Sequence, residues 1–149
     1  MNLTFEVREA TTEDAVAMAV VSEQSLDLPW QAKDFADAVQ SSQALAYVAA
    51  DAKGAFGYVV LYHAADEGEI PSVAVDANHR RCGAARRMME AVFADAAKRG
   101  VRKVFLEVRQ SNAPALALYE HMGFLRVGVR KNFYSNPTED ACLMMCLIG

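Results

Sequence analysis

The chain lacks any apolar run close to the roughly 20 residues that a membrane-crossing helix requires, so no membrane partner is expected. Residues 1–6 do not place a basic stretch before an apolar one, which speaks against a secretory leader and for a cytoplasmic protein. Cysteine is scarce. Cys82, Cys142 and Cys146 are odd in number and show no CxxC spacing, which argues against a disulfide framework or a zinc site. Cys142 and Cys146, four apart in a strand-like stretch, would share a face at about 13 Å separation and read as buried reduced thiols. His63, His79 and His121 are scattered without metal-ligand spacing, so no metal is expected. Nor is there an excess of positive charge: 15 Lys and Arg stand against 19 Asp and Glu, a net charge of −4. That balance argues against a general nucleic-acid binder and suits a basic partner. Low-complexity segments, internal repeats and linker-like breaks are also missing. One domain over 1–149 is therefore expected, monomeric or weakly dimeric.

What is present is an ordinary globular composition, 53% hydrophobic and 23% charged, in alternating helical and strand-like patterns. Residues 5–8 read as a strand. Thr11-Thr12-Glu13-Asp14 puts a capping residue and acids ahead of an apolar helix running to about Leu26. Leu28-Pro29-Trp30 breaks that helix, and a second follows over 31–39. Residues 46–49 and 56–61 read as strands joined by a turn at Asp51-Ala52-Lys53-Gly54. A fourth strand covers 69–75, where Pro71 cannot donate a ladder hydrogen bond and predicts a bulge. Ala85, Met88, Met89, Val92, Phe93 and Ala96 form one helical stripe, stopped by Lys98-Arg99-Gly100, with the methionines as core filler. A strand over 104–108, a helix over 113–122 ended by Gly123, and two long antiparallel strands over 124–134 and 140–148 complete the chain. The order β-α-α-β-β-β-α-β-α-β-β predicts an α/β fold: one mixed, mostly antiparallel, seven-stranded sheet flanked by about four helices.

Arg80-Arg81-Cys82-Gly83-Ala84-Ala85-Arg86 lies between the fourth strand and the long helix. Small residues at 83–85 let a ligand approach the backbone at a helix start. The N–H groups there have no intrahelical partner, and the helix dipole adds positive charge. Arg80, Arg81 and Arg86 bring mobile charge, so the segment suits a phosphate. Its spacing, Arg-x-x-Gly-x-Ala, is neither a P-loop nor a dinucleotide fingerprint. A small-residue helix start flanked by solvated arginines fits the same residues.

Further on comes Leu106-Glu107-Val108-Arg109-Gln110-Ser111-Asn112, continuing through Tyr119 to Gly123-Phe124. Glu107 alternates with Leu106 and Val108, so it faces the other side of its strand, next to the Phe105 ring. Partial burial there would raise its pKa towards a value suited to a general base. The alternative is a surface glutamate paired with Lys103 or Arg109. Asn112 opens a helix and suits its N-cap. Tyr119 lies about two turns on and shares that helix face, although it also reads as a core aromatic with its hydroxyl at the surface.

Together, the Arg-rich loop and the block over 106–124 closely resemble the pyrophosphate loop and C-terminal signature of the GCN5-related N-acetyltransferases. The tail narrows the resemblance. Gly128-Val129-Arg130-Lys131-Asn132-Phe133-Tyr134, then Glu139-Asp140-Ala141-Cys142-Leu143-Met144, is similar to the RimI family of bacterial N-alpha-acetyltransferases. Pro29-Trp30 matches a pair that family carries between its first two helices. Arg80 stands where Gln is common, Cys82 where a polar residue is usual, and Ala85 where Gly is frequent.

The resemblance implies acetyl-CoA as co-substrate and no metal. It implies that Arg80, Arg81, Cys82, Gly83, Ala84, Ala85 and Arg86 hold the pyrophosphate. Val73, Ala74 and Val75 would pair with the pantetheine arm, and Asn112 and Tyr119 would contact the cofactor. Glu107 would be general base and Tyr119 general acid, with a backbone N–H of Val73 or Ala74 stabilising the tetrahedral oxyanion. Glu69 is a rival base, because many superfamily members place a catalytic Glu on the fourth strand. The implied acceptor is a basic protein N-terminus, the N-terminal alanine of ribosomal protein S18, without direct nucleic-acid contact. Trp30 and Tyr134 would line the acceptor groove, although Trp30 and Phe133 equally suit a core. An acetyltransferase for a small amine or a lysine side chain, or a non-catalytic acetyl-CoA-binding module, are the alternatives.

Overall fold

Among the described residues, seven strands form one sheet in the order β1-β2-β3-β4-β5-β7-β6. They are β1 (Glu6–Glu9), β2 (Ala44–Asp51), β3 (Gly54–Ala64), β4 (Glu67–Val75), β5 (Lys103–Arg109), β6 (Leu125–Tyr134) and β7 (Glu139–Leu147). Four α-helices among the described residues accompany them: α1 (Ala15–Ser25), α2 (Ala32–Gln40), α3 (Ala84–Lys98) and α4 (Ala113–His121). The computed structural model describes residues 4–25 and 29–149, so the expected helix end at Leu26 and break at Leu28 lie outside the described residues. Every neighbouring pair of strands is antiparallel except β4 and β5, which makes the sheet mixed and mostly antiparallel, as expected. Strands β2 and β3 run longer than 46–49 and 56–61. Central strands are covered on both faces, so pairing continues beyond the residues of highest strand propensity.

The sheet separates two cores. Met88, Met89 and Val92 of α3 pack with Val59, Leu61, Leu106 and Phe124 on one face. Met18 and Val21 of α1 and Phe35 of α2 pack with Val48, Tyr58 and Val60 on the other. The start of α1 is tied to β1 through Asp14. Its carboxylate accepts the Thr11 N–H at 2.8 Å and two bonds from the Arg8 guanidinium at 2.8 and 2.9 Å. The Arg8 bonds hold that carboxyl below the usual carboxylate range although it is buried. Among the described residues, no helix is long and apolar enough to cross a membrane.

One irregularity shapes everything that follows. Strands β4 and β5 pair only where Glu67, Gly68 and Glu69 meet Lys103, Val104 and Phe105, and beyond that point they part. The register explains why. Val60 lies opposite Ser72 and Tyr62 opposite Glu69, so Ile70 and Pro71 together oppose Leu61. This is the bulge expected at Pro71, and bulges bend the strand that carries them. Beyond it, the buried Ser72 hydroxyl and Tyr58 hydroxyl share a 2.6 Å hydrogen bond that keeps β4 on β3.

Candidate active site

The parted strands enclose a cleft of about 540 Å³. Val73 of β4, Glu107 of β5, Asn112 and Tyr119 of α4, and Trp30 and Tyr134 all line it. Six residues scattered through the sequence are thus brought to one opening. Backbone groups face it too. The Asp76 N–H bonds the Phe56 carbonyl at 2.8 Å, which makes Gly57 and Val75 a non-hydrogen-bonded pair. The N–H and C=O of Val75, and two residues earlier of Val73, therefore point away from β3 into the gap. Arg80 Nε already takes the Val75 carbonyl, at 3.3 Å. Ala74 differs: its backbone pairs with β3 and its side chain is buried in the core under α1 and α2.

Glu107 and Tyr119 reach the cleft from opposite faces of the sheet. Tyr119 belongs to the core that contains Leu106 and Val108, whereas Glu107 points to the other side of β5. Only the parting of β4 from β5 lets the two share a cavity. Tyr119 is 9% exposed, and burial pushes its hydroxyl up to about 12, with Tyr134 adding to the effect. The phenol therefore keeps its proton throughout the physiological range. Glu107 also lines a second groove of about 550 Å³, whose walls include Tyr62, Asp66, Glu67, Glu69 and Phe105. Glu69 lines that groove and not the cleft.

Burial pushes the Glu107 carboxyl above the usual carboxylate range, Arg130 pulls it back, and Glu69 adds to the rise. Neither partner suggested by the sequence pairs with it. Lys103 lies 3.8 Å from Glu67 and Arg109 3.0 Å from Glu139, while Arg130 Nε stands 3.2 Å from Glu107 Oε1. Arg130 comes from β6, two strands away, and no local spacing announces it.

Arg109 has a different task. It donates to the carbonyls of Ser135 at 2.8 Å and Pro137 at 3.0 Å, and its guanidinium stacks 4.5 Å over the Tyr134 ring. Glu139 also accepts the Ser111 N–H at 2.7 Å, so this network holds the β6–β7 turn against the end of β5. The network was not legible in the sequence, and its only signal there is that Arg109 follows Glu107 at the two-residue spacing of one strand face. Asn112 Oδ1 accepts the Ala115 N–H at 3.2 Å, so it caps α4 while lining the cleft. Trp30 is both wall and core: its ring packs 5.3 Å from Phe35 and its backbone N–H donates to Ser22 Oγ at 2.9 Å. Phe133 is 49% exposed and completes no core, contrary to that alternative for it.

Beyond the open end of the cleft, the chain turns through Arg80–Gly83 into α3. Gly83 has φ of +83° and Arg81 of +65°, and a Cβ placed on Gly83 would meet nothing within 4 Å. Open space above unpartnered helical N–H groups, rimmed by exposed Arg80, Arg81 and Arg86, fits a phosphate. Ala84 is buried and anchors the helix start, with Ala85 half-buried beside it. The Cys82 thiol turns inward, donating to the His79 carbonyl at 2.8 Å. Only its backbone is left to face a ligand.

Comparison with known proteins accords with this geometry. The acetyltransferase (GNAT) family matches residues 7–124. The [ribosomal protein bS18]-alanine N-acetyltransferase of Escherichia coli (strain K12) is 33% identical over 135 residues, covering 89% of this chain and 90% of that protein. Its counterpart in Salmonella typhimurium (strain LT2) is 34% identical over 139 residues, covering 90% and 91%. The crystal structure of the Escherichia coli ribosomal-protein-S18-alanine N-acetyltransferase matches with a TM-score of 0.88 at 30% identity, over 98% of this chain and 95% of that one. The chain belongs to the acetyltransferase (GNAT) family, as an acyltransferase that uses acetyl-CoA.

Proposed function

We propose that this enzyme acetylates the α-amino group at a protein N-terminus, with a basic N-terminus like that of ribosomal protein S18 as acceptor. The observation that carries the reading is the position of Glu107, common to the cleft and to a groove walled by Asp66, Glu67 and Glu69. Two further carboxylates, Asp34 and Asp37 of α2, act on the Tyr62 hydroxyl at the same groove. An extended, positively charged chain fits there with its first amine at Glu107. The Escherichia coli relative, named for alanine acetylation on ribosomal protein bS18, supports the same acceptor class.

Bound acetyl-CoA supplies a thioester that an unprotonated amine attacks. An α-amino group, with a pKa near 8, is roughly a tenth neutral at about pH 7, whereas a lysine near 10.4 is far less so. Glu107 accepts the amine's proton, directly or through a water. The Val73 N–H, aimed into the gap, donates to the oxygen that gains charge. Tyr119, held neutral by burial, donates its proton to the leaving sulfur. Gly83, Ala84 and Ala85, with Arg80, Arg81 and Arg86, hold the pyrophosphate. Val73 and Val75 offer the backbone groups for the pantetheine arm. Trp30 and Tyr134 wall the acceptor side, and Asn112 lies beside the cofactor.

The test is an acetyl-transfer assay on a basic N-terminal peptide, the same peptide with its N-terminus blocked, a charge-neutral version and free polyamines. Acetylation is expected on the α-amine of the first peptide, more weakly on the neutral version, and not on the blocked one. Activity confined to polyamines would reject the reading. Tyr119→Phe is expected to reduce turnover by about 10–10²-fold with the helix intact, because a thiolate is already a tolerable leaving group. Unchanged turnover, with chemistry shown to limit the rate, would reduce Tyr119 to packing.

A further inference from the structure

Glu107 and Arg130 lie on one face of the sheet but two strands apart. Glu107 is opposite Leu143 on β7, and Arg130 is opposite Ala141, two residues along that strand and on the same face. The guanidinium therefore reaches diagonally across β7, past the small Ala141, to place Nε 3.2 Å from Glu107 Oε1. Arg130 is 54% exposed and sits on an edge strand, whereas the Glu107 side chain is 22% exposed. A pair so open to water contributes little to stability. Its effect is local, on the one carboxylate that lines both the cleft and the acidic groove.

We propose that Arg130 is a positioning residue for the reaction: it holds the Glu107 carboxylate ionised at the opening between β4 and β5, then yields it to the acceptor's ammonium group. The proposal rests on Glu107 being the base. The exchange is a proton transfer alone, in which R–NH₃⁺ and the carboxylate become R–NH₂ and the carboxylic acid. Glu69 of the adjacent β4 and Arg130 of β6, two strands away, are the charged groups that act on Glu107 from other strands. On its own strand, Arg109 is engaged with Glu139, and β7 presents the apolar Leu143. Tyr119 and Tyr134 line the same cleft. Burial and Glu69 both favour the protonated acid, and Arg130 opposes them. Removing Arg130 takes away the larger of the two effects that oppose them, the other being a backbone hydrogen bond at Glu107, so Glu107 holds its proton to higher pH and the acidic limb of the rate profile moves up.

Arg130→Ala and Arg130→Lys, each alone and combined with Glu107→Gln, test this by steady-state kinetics across pH with the basic peptide. Arg130→Ala is expected to lower kcat/KM for the peptide by about tenfold at about pH 6 but by about twofold or less at about pH 8.5. The Michaelis constant for acetyl-CoA and the melting temperature should stay unchanged, and Arg130→Lys should recover most of the loss. With Glu107→Gln already present, Arg130→Ala should add nothing. An unmoved pH profile, or an equal loss in the Glu107→Gln background, overturns the proposal while leaving the base assignment standing. A Glu107→Gln enzyme with full turnover removes the base assignment and this proposal with it.

Discussion

Replacing Glu107 with Gln is expected to lower turnover by about 10²–10⁴-fold, the range for losing a positioned general base, with acetyl-CoA affinity and fold retained. The amide keeps the shape of the carboxyl but cannot take the amine's proton. Retention of the fold follows from the sign of the proton linkage. Burial raises the Glu107 carboxyl above its ordinary range, so the folded state binds that proton more tightly than the unfolded chain. Its ionised form therefore opposes folding as pH rises through the unfolded value, and an uncharged Gln removes that opposition. Thermal melts near about pH 7 should show the variant at least as stable as the parent. Glu69→Gln, which alters a residue of the groove and not of the cleft, should cost much less turnover. A reversed ranking would move the base to β4.

Gly83→Val is expected to weaken coenzyme A binding by about 10–100-fold, the equivalent of losing one or two charge-assisted hydrogen bonds to phosphate. Two effects act together. Valine is disfavoured at the +83° φ of Gly83, by roughly 1–2 kcal/mol, so the turn into α3 shifts. The space above Gly83 is empty of protein, so the new methyl groups project to where phosphate oxygens approach. Calorimetry with coenzyme A reads the affinity, and denaturant unfolding confirms that the fold survives at an exposed loop. Binding as tight as the parent's would show that the pyrophosphate lies elsewhere.

The contrast between these two sites shows what was legible along the chain. The loop proposed for phosphate is local: small residues, a helix start and three arginines occur within seven positions, and each property acts where it stands. The same holds for the strand and helix patterns, for Asn112 as an N-cap, and for the bulge at Pro71, whose missing N–H is a property of one residue. Glu107 and Tyr119 could be named by their resemblance to a family signature, but their relation in space could not. Nothing in the spacing of 107 and 119 says that they approach one opening from opposite faces of the sheet.

The amino-acid sequence by itself determined the order of elements, the phosphate-suited loop and the residue types available for proton transfer. Local conformational preference and the periodicity of burial act over a few residues at a time, and these features need no more. Only the tertiary structure decided the rest. It parted β4 from β5 and turned the Val73 backbone, rather than that of Ala74, into the gap. It engaged Arg109 with the β6–β7 turn and gave Glu107 the cation of Arg130 in place of Lys103 or Arg109. Those outcomes depend on strand register and on side chains meeting across two strands. Pairing of that kind is set by the packing of the whole sheet, which no window of sequence contains.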